Sequence, residues 1–319
     1  MIRSAASIES CLDRELHRSR GVALVLAQVS GQGLGWLGAL VAAVFWGSYL
    51  VPVKRLPGLN PVAAQLGMAI GISLLGLPLA IASGSWLPNG WGLLAGVIWA
   101  VGNYGSIFVV RSLGLARGLA LWAAVGIAVS FLWGAVGFRE PVALGGAIGG
   151  VLLLIGGIGL MNRPDRSRAA VAGPPPDRRQ WLLCAGVGLL FGSQSVPFAF
   201  AQQSPIAFVP SMSLGILLTA LVLAGRSGNL DKLRIPRSAL IPLGVSGLLW
   251  NIANLGSFFA VQQLGFAVGM PLTQFAIVIN AAWGLFFFRE ITSRRQMIQV
   301  AAGAFLGFGG IILIGLSRG

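Results

Sequence analysis

Apolar residues in this chain gather into stretches of roughly 18 to 24, separated by short polar, basic or proline-bearing breaks. The stretches fall near residues 35–53, 61–82, 90–110, 117–138, 142–161, 181–200, 206–224, 238–262, 267–288 and 296–316, here numbered spans 1 to 10. About 20 helical residues cross a hydrocarbon core of roughly 30 Å. The pattern therefore predicts an all-α integral membrane protein with ten transmembrane helices. One stretch differs in kind: residues 162–180 contain Pro164, the run Pro174-Pro175-Pro176 and five arginines, and read as a basic linker. The predicted organisation is an N-terminal tail at 1–34, a first five-helix unit at 35–161, the linker, and a second five-helix unit at 181–316.

The two units share uncommon phrases. Trp46-Gly47-Ser48-Tyr49-Leu50-Val51-Pro52 in span 1 is echoed by Phe191-Gly192-Ser193-Gln194-Ser195-Val196-Pro197 in span 6. Trp99, Asn103, Gly105 and Ser106 in span 3 return as Trp250, Asn254, Gly256 and Ser257 in span 8, and Trp133-Gly134 before Phe138-Arg139-Glu140 returns as Trp283-Gly284 before Phe288-Arg289-Glu290. Five helices is an odd number, so two similar units inserted in sequence have opposite orientations: an inverted repeat.

Composition narrows the class further. The chain is 56% hydrophobic and 9% charged with a mean hydropathy of +0.84, against about 25% charged residues in soluble domains. Its net charge of +14 resides between apolar stretches, where it sets orientation and meets anionic lipid rather than nucleic acid. Sixteen of the lysines and arginines follow spans 1, 3, 5, 7 and 9, and six lie on the other side, so both termini read as outside. The tail holds Glu9, Asp13 and Glu15 and a short apolar stretch, unlike a cleavable signal. Cys11 and Cys184 offer neither a disulfide framework nor a thiolate metal site.

The chemistry inside the spans is neutral. All eight acidic residues lie in tails, linkers or helix ends, and His17 is in the tail. A mid-membrane carboxylate costs roughly 2.5–3.5 kcal/mol on insertion scales and persists where proton relay or cation binding needs it. Its absence here argues against a cationic-drug exporter, and no constellation of acid, base, nucleophile or metal ligand argues for an enzyme or a cofactor. What the spans do contain is amides, hydroxyls and indoles. Trp46, Ser48, Gln194, Trp99, Asn103, Trp250, Asn251, Asn254, Thr273 and Gln274 form the candidate substrate site: amides serve hydroxyls, and rings lie against sugar C–H faces. Such neutral groups also bind helices together. Pro52, Pro197 and Pro271 are candidate helix breaks, because a proline leaves the carbonyl four residues earlier without a helical donor. Arg139, Glu140, Arg289 and Glu290 are candidates for a helix-end gate or salt bridge. Trp36, Trp86, Trp91 and Trp181 read as interfacial anchors, and Trp133 and Trp283 as packing or gate residues. Gly145/Gly149, Gly146/Gly150 and Gly303/Gly307 are close-packing faces of spans 5 and 10, with a homodimer seam as their second use.

These features resemble the drug/metabolite transporter superfamily, each Arg-Glu pair being similar to its motif at the end of the fourth helix of a repeat. Trp46-Gly-Ser-x-x-Val-Pro-Val-Lys54, with Ala260 to Gly265 and Gly269 to Gln274, resembles its glucose/ribose porter branch. The resemblance spans roughly residues 35 to 316. It implies sugar transport across an inner membrane, with a site between spans 1, 3, 4, 6, 8 and 9. The first unit departs from the pattern, since Ala120, Trp122 and Ala123 stand in the stretch matching Pro271 to Gln274. The expected function is a secondary transporter of a small neutral solute such as glucose, working by alternating access. The alternative is an exporter of amino acids or other small metabolites.

Overall fold

In a computed structural model of the chain, residues 31–54, 59–113, 115–161, 177–226, 234–288 and 293–317 are described, with Leu56 and Arg163 besides. Among them the structure is helical throughout. The helices are α1 (31–48), α2 (Pro61–Ser83), α3 (Gly90–Leu113), α4 (Leu115–Leu132), α5 (Leu144–Met161), α6 (Arg178–Ser193), α7 (Val196–Ala201), α8 (Pro205–Arg226), α9 (Arg237–Leu264), α10 (Phe266–Thr273), α11 (Ala276–Ala282) and α12 (Arg294–Leu316). Among the described residues, seven helical segments are long and apolar enough to cross a bilayer: α2, α5, α6 with α7, α8, α9, the run Phe266–Phe287, and α12.

Local chemistry sets several of the ends. Asn60 caps α2 by accepting the Val62 N–H at 2.9 Å, Pro61 occupies the first turn where its missing N–H costs nothing, and Gly84 closes the helix at φ 65°. Asp177 and Gln180 form a capping box on α6, each side chain accepting from the other's backbone. Spans 4 and 9 end alike, in a single π-helical turn at Trp133–Gly137 and again at Trp283–Phe287. In each, the next phenylalanine N–H reaches back to the tryptophan carbonyl, at 2.7 Å for Phe138 and 3.0 Å for Phe288.

The prolines mark irregular backbone in three spans. α1 stops at Ser48, whose carbonyl accepts the Val51 N–H at 3.0 Å in a tightened turn before Lys54. α6 stops at Ser193 and α7 starts at Val196 with Pro197 in its first turn. Pro271 lies inside α10, and the break comes after it, where Gln274, Phe275 and Ile277 donate three residues back at 3.1 to 3.2 Å.

Glycines let the helices meet backbone to backbone. A Cβ at Gly71 would fall 2.3 Å from the Gly244 carbonyl oxygen, and one at Gly247 would fall 2.2 Å from that of Met68, so α2 and α9 touch without side chains between them. Gly38 and Gly256 bring α1 to α9, Gly96 and Gly215 bring α3 to α8, and Gly126 and Gly192 bring α4 to α6. Gly150 with Gly310 and Gly157 with Gly303 join α5 to α12 inside one chain. Part of the glycine seam of spans 5 and 10 is thus intramolecular. Between these seams lies an aromatic core in which Phe198, Phe208 and Phe258 pack mutually at 4.7 to 5.1 Å. Trp36, Trp86, Trp91 and Trp181 are exposed at the periphery.

Candidate functional site

Two helices and one helix break carry buried polar atoms without hydrogen-bond partners, close in the chain to members of one apolar cluster. Trp46, on the last turns of α1, packs on the cluster that contains Trp99, Trp250 and Val196, and its indole Nε1 is buried and unpartnered. Gln194 sits in the gap between α6 and α7, two residues before that cluster's Val196, and its Oε1 is in the same condition. On α2, Gln65 accepts from the Asn103 amide through Oε1 and leaves its Nε2 unpartnered. A buried polar group without a partner forfeits about 1–3 kcal/mol. Gln203 Oε1, Ser246 Oγ and Gln299 Oε1 share that condition among the described residues; Trp46 and Gln194 belong to the predicted polar set, and Gln65 bonds to its Asn103.

Tryptophans form the apolar side of this place. Trp99 and Trp250 are both buried, and their rings meet at 4.0 Å between centroids with a 41° tilt. Each ring therefore offers only its remaining face and edge. Asn103 stands one turn after Trp99 on α3, so the Gln65–Asn103 pair borders the indoles.

Other members of the predicted set are occupied. Asn251 donates to the Ile72 carbonyl at 2.8 Å and accompanies that with a bond to Ser213 Oγ at 2.9 Å, tying α9 to α2 and α8. Asn254 donates to the Trp250 carbonyl one turn back at 3.1 Å, and Thr273 donates to the Met270 carbonyl at 2.6 Å. Gln274 reaches Thr273 Oγ1 at 3.4 Å. Ser48 accepts the indole N–H of Trp283 at 2.8 Å, and Ser193 accepts that of Trp133 at 3.0 Å. The two bonds join corresponding residues of the repeated phrases. Each fastens a π-helical turn to the end of an interrupted helix.

Glu140 has a different task. Its Oε1 accepts the Phe266 N–H and its Oε2 the Ala267 N–H, both at 2.7 Å, so one carboxylate caps the first turn of α10. Gly265 at φ 81° brings those N–H groups to it, and a Cβ at that position would lie 2.7 Å from Oε2. Of the predicted helix-end set, Arg139 is exposed with φ 53°, while Arg289 and Glu290 lie outside the described residues. Beside Glu140 a cavity of about 490 Å³ opens between the ends of α4, α7 and α9 and the start of α8. Phe138, Phe198 and Phe266 wall it together with Gln202, Gln203 and Gln262. Its Phe198, Val261 and Phe266 also belong to the cluster holding Trp99 and Trp250. Sequence reasoning passed over Gln65 and these three glutamines. For Gln65 a signal existed, a lone amide in an otherwise apolar span, whereas the others sit at helix ends where glutamine is ordinary.

Among the described residues no three His, Cys, Asp or Glu side chains converge. The arrangement can hold a neutral ligand through donors, acceptors and aromatic faces. Comparison with known proteins agrees in kind. A family profile described as "Sugar transport protein" matches residues 37–317. Transmembrane protein 144 homolog B of Dictyostelium discoideum is 27% identical over 91% of this chain and its own full length. Glucose uptake protein GlcU of Bacillus subtilis is 25% identical over 88% of this chain and 97% of its own. A solved crystal structure of 15% identity shares the fold with a TM-score of 0.62, over 89% of this chain and 97% of its own. With nearly the whole helical region matched and apolar helices of spanning length throughout it, the chain is a multi-pass integral membrane protein and belongs to the sugar transport protein family.

Proposed function

We propose that the chain is a secondary transporter that moves a neutral sugar, such as glucose, across the plasma membrane by alternating access. The observation that carries this reading is the trio of buried, unpartnered groups, Trp46 Nε1, Gln65 Nε2 and Gln194 Oε1, beside the Trp99–Trp250 pair. Hydroxyls both give and accept hydrogen bonds, so two donors and one acceptor suit them, and indole suits a sugar's C–H face. The glucose uptake named for the Bacillus relative supports the same substrate class. Purified protein in proteoliposomes, offered labelled hexoses, pentoses and amino acids, tests the reading: saturable sugar uptake is expected. Uptake of amino acids alone would replace it with the metabolite-exporter alternative.

The trio gives a prediction of unusual sign. Trp46→Phe and Gln194→Leu each delete an unpartnered polar atom, so thermal stability in detergent should hold or rise. Each change also removes a bond worth about 0.5–1.5 kcal/mol to the ligand, so half-saturation for sugar should rise up to roughly tenfold. Lower stability with unchanged half-saturation would mean that these side chains only pack.

The inverted repeat, 35–161 against 181–316, with 1–34 as a tail and 162–180 as a linker, belongs to the same proposal. Exchanging each span for the one five places away turns the α2–α9 contact into α8–α3, turns α4–α6 into α11–α1, and leaves α5–α12 as it is. The twin indole–hydroxyl bonds obey the same exchange. Both support ten transmembrane helices in two related halves. A homodimer through α5 and α12 has their outward faces to use, where Gly145, Gly156, Gly159 and Gly309 have open space. Reporter fusions near Ala170 and Leu230 should read cytoplasmic and a fusion after Gly319 external. A cytoplasmic C-terminus would reverse this orientation without touching the repeat.

Alternating access draws support from an inequality between the two mouths. The Lys54 ammonium stands 4.2 Å above the Phe288 ring, joining the end of span 1 to the end of span 9. By the repeat, the corresponding residues are Ala199 and Phe138, which line the open cavity instead. Alanine is too short and carries no charge. With Lys54 exposed, a cation–π contact is worth about 0.5–1 kcal/mol, so it biases the resting protein toward closure at the basic mouth. Lys54→Met should raise the labelling rate of a cysteine placed at Val53 by roughly two- to fivefold, measured with a membrane-impermeant thiol reagent. An unchanged rate would remove Lys54 from the gate.

A further inference from the structure

We propose that the cavity at the mouth opposite Lys54 is a second sugar-binding station, occupied before the ligand reaches the tryptophan pair. This rests on the sugar-transport reading above. At about 490 Å³ it falls in the range of small-molecule pockets, roughly 300–1,000 Å³. Its lining has the same chemistry as the deeper site, built from different residues. Phe138, Phe198 and Phe266 supply aromatic surface, and the carboxamides of Gln202, Gln203 and Gln262 supply neutral donors and acceptors. Gln202 and Gln262 are exposed and free to turn toward a ligand, while the Gln203 Oε1 is buried without a partner.

Charge selects the ligand class. Glu140, the only carboxylate among the described residues of the wall, has one backbone N–H on each oxygen at 2.7 Å, and the start of α10 offsets its charge. Among the described lining residues a cation meets one carboxylate, already bonded to two N–H groups, whereas a polyol finds three amides. The rim is held in an uncommon backbone state: Arg139 at φ 53° and Gln202 at φ 50° flank the cavity, and both are non-glycine residues in the left-handed region. Such positions persist where the surroundings enforce them, often at ligand clamps. The floor connects to the deeper site, because Phe198, Val261 and Phe266 face the cavity and also belong to the Trp99–Trp250 cluster.

The test is protection of a cysteine in the wall, measured on the full chain in detergent so that membrane orientation does not matter. Ser204→Cys, and separately Ala199→Cys, both in the wall, are made in a Cys11→Ser/Cys184→Ser background and labelled with a fluorescent maleimide. Glucose at about ten times its half-saturating concentration leaves roughly a tenth of sites free, so labelling should slow about tenfold. The slowing should persist when Trp46→Phe and Gln194→Leu weaken the deeper site. Protection that disappears with those two changes would mean the cavity merely follows events below it, and the station would be lost. No protection at either cysteine, while the same preparation takes up labelled glucose in liposomes, would overturn the station and leave the transport reading standing. If labelled glucose is neither taken up nor protective, both readings fall together.

Discussion

Glu140→Ala is expected to destabilise the fold by about 3 kcal/mol, because two backbone N–H groups at the start of α10 lose their acceptor at once. The first N–H groups of a helix have no partner within it. Phe266 and Ala267 are buried, so their N–H groups depend on the carboxylate at 2.7 Å. Charged acceptors are worth about 1.5–3 kcal/mol each, and Glu140 is half-buried, which places the pair near the lower end of that sum. Glu140→Gln keeps one acceptor oxygen and turns an amide toward the second N–H, so it should lose about half as much. The thermal midpoint in detergent should fall by several degrees for alanine and by less for glutamine. Equal midpoints in all three proteins would show that the cap carries no weight.

Gly247→Ala is expected to cost at least about 3 kcal/mol, and Gly244→Ala, one turn away, should be neutral or stabilising. The contrast comes from what each new methyl meets. At Gly247 it would lie 2.2 Å from the Met68 carbonyl oxygen and 2.7 Å from the Ile72 nitrogen, atoms of the α2 backbone that cannot rotate aside. At Gly244 nothing lies within 4 Å. Parting α2 from α9 would also stretch the Asn251 bonds to Ile72 and Ser213, which close the same seam. Alanine at Gly244 gains helix propensity, about 1 kcal/mol over glycine. Folded yield and thermal midpoint compare the two directly. A well-folded Gly247→Ala protein would mean that the helices are not in backbone contact.

Much of the fold could be read from the chain because bilayer thickness imposes a length on apolar runs. The stretch near 206–224 became α8 at Pro205–Arg226, and that near 238–262 became α9 at Arg237–Leu264. The site was legible only by residue type. Asn251 and Asn103 carry the same amide, yet Asn251 ties α9 to its neighbours while Asn103 turns to Gln65. Which task an amide performs depends on its partners' positions, and these come from elements far away in sequence. Glu140 shows this most plainly: its partners at 266 and 267 lie 126 and 127 residues downstream, and nothing near Phe138-Arg139-Glu140 announces them. Trp250 read as a stacking platform, and the structure puts Trp99 on part of it, since two indoles related by the repeat also meet across it. Proline predicted interruptions by its chemistry but not their exact seat, because neighbouring residues can take up the strain in tightened turns. That is why span 9 opens at Gln274 rather than at Pro271.

Counterflow of labelled glucose tests the central claim most directly. Proteoliposomes are loaded with unlabelled glucose and diluted into a trace of the labelled sugar, with no ion gradient. If one site faces the two sides in turn, labelled glucose should enter transiently above its equilibrium level, and Trp46→Phe with Gln194→Leu should diminish that overshoot. Entry that rises only to equilibrium, indifferent to the unlabelled sugar inside and to both substitutions, would contradict alternating access at this site.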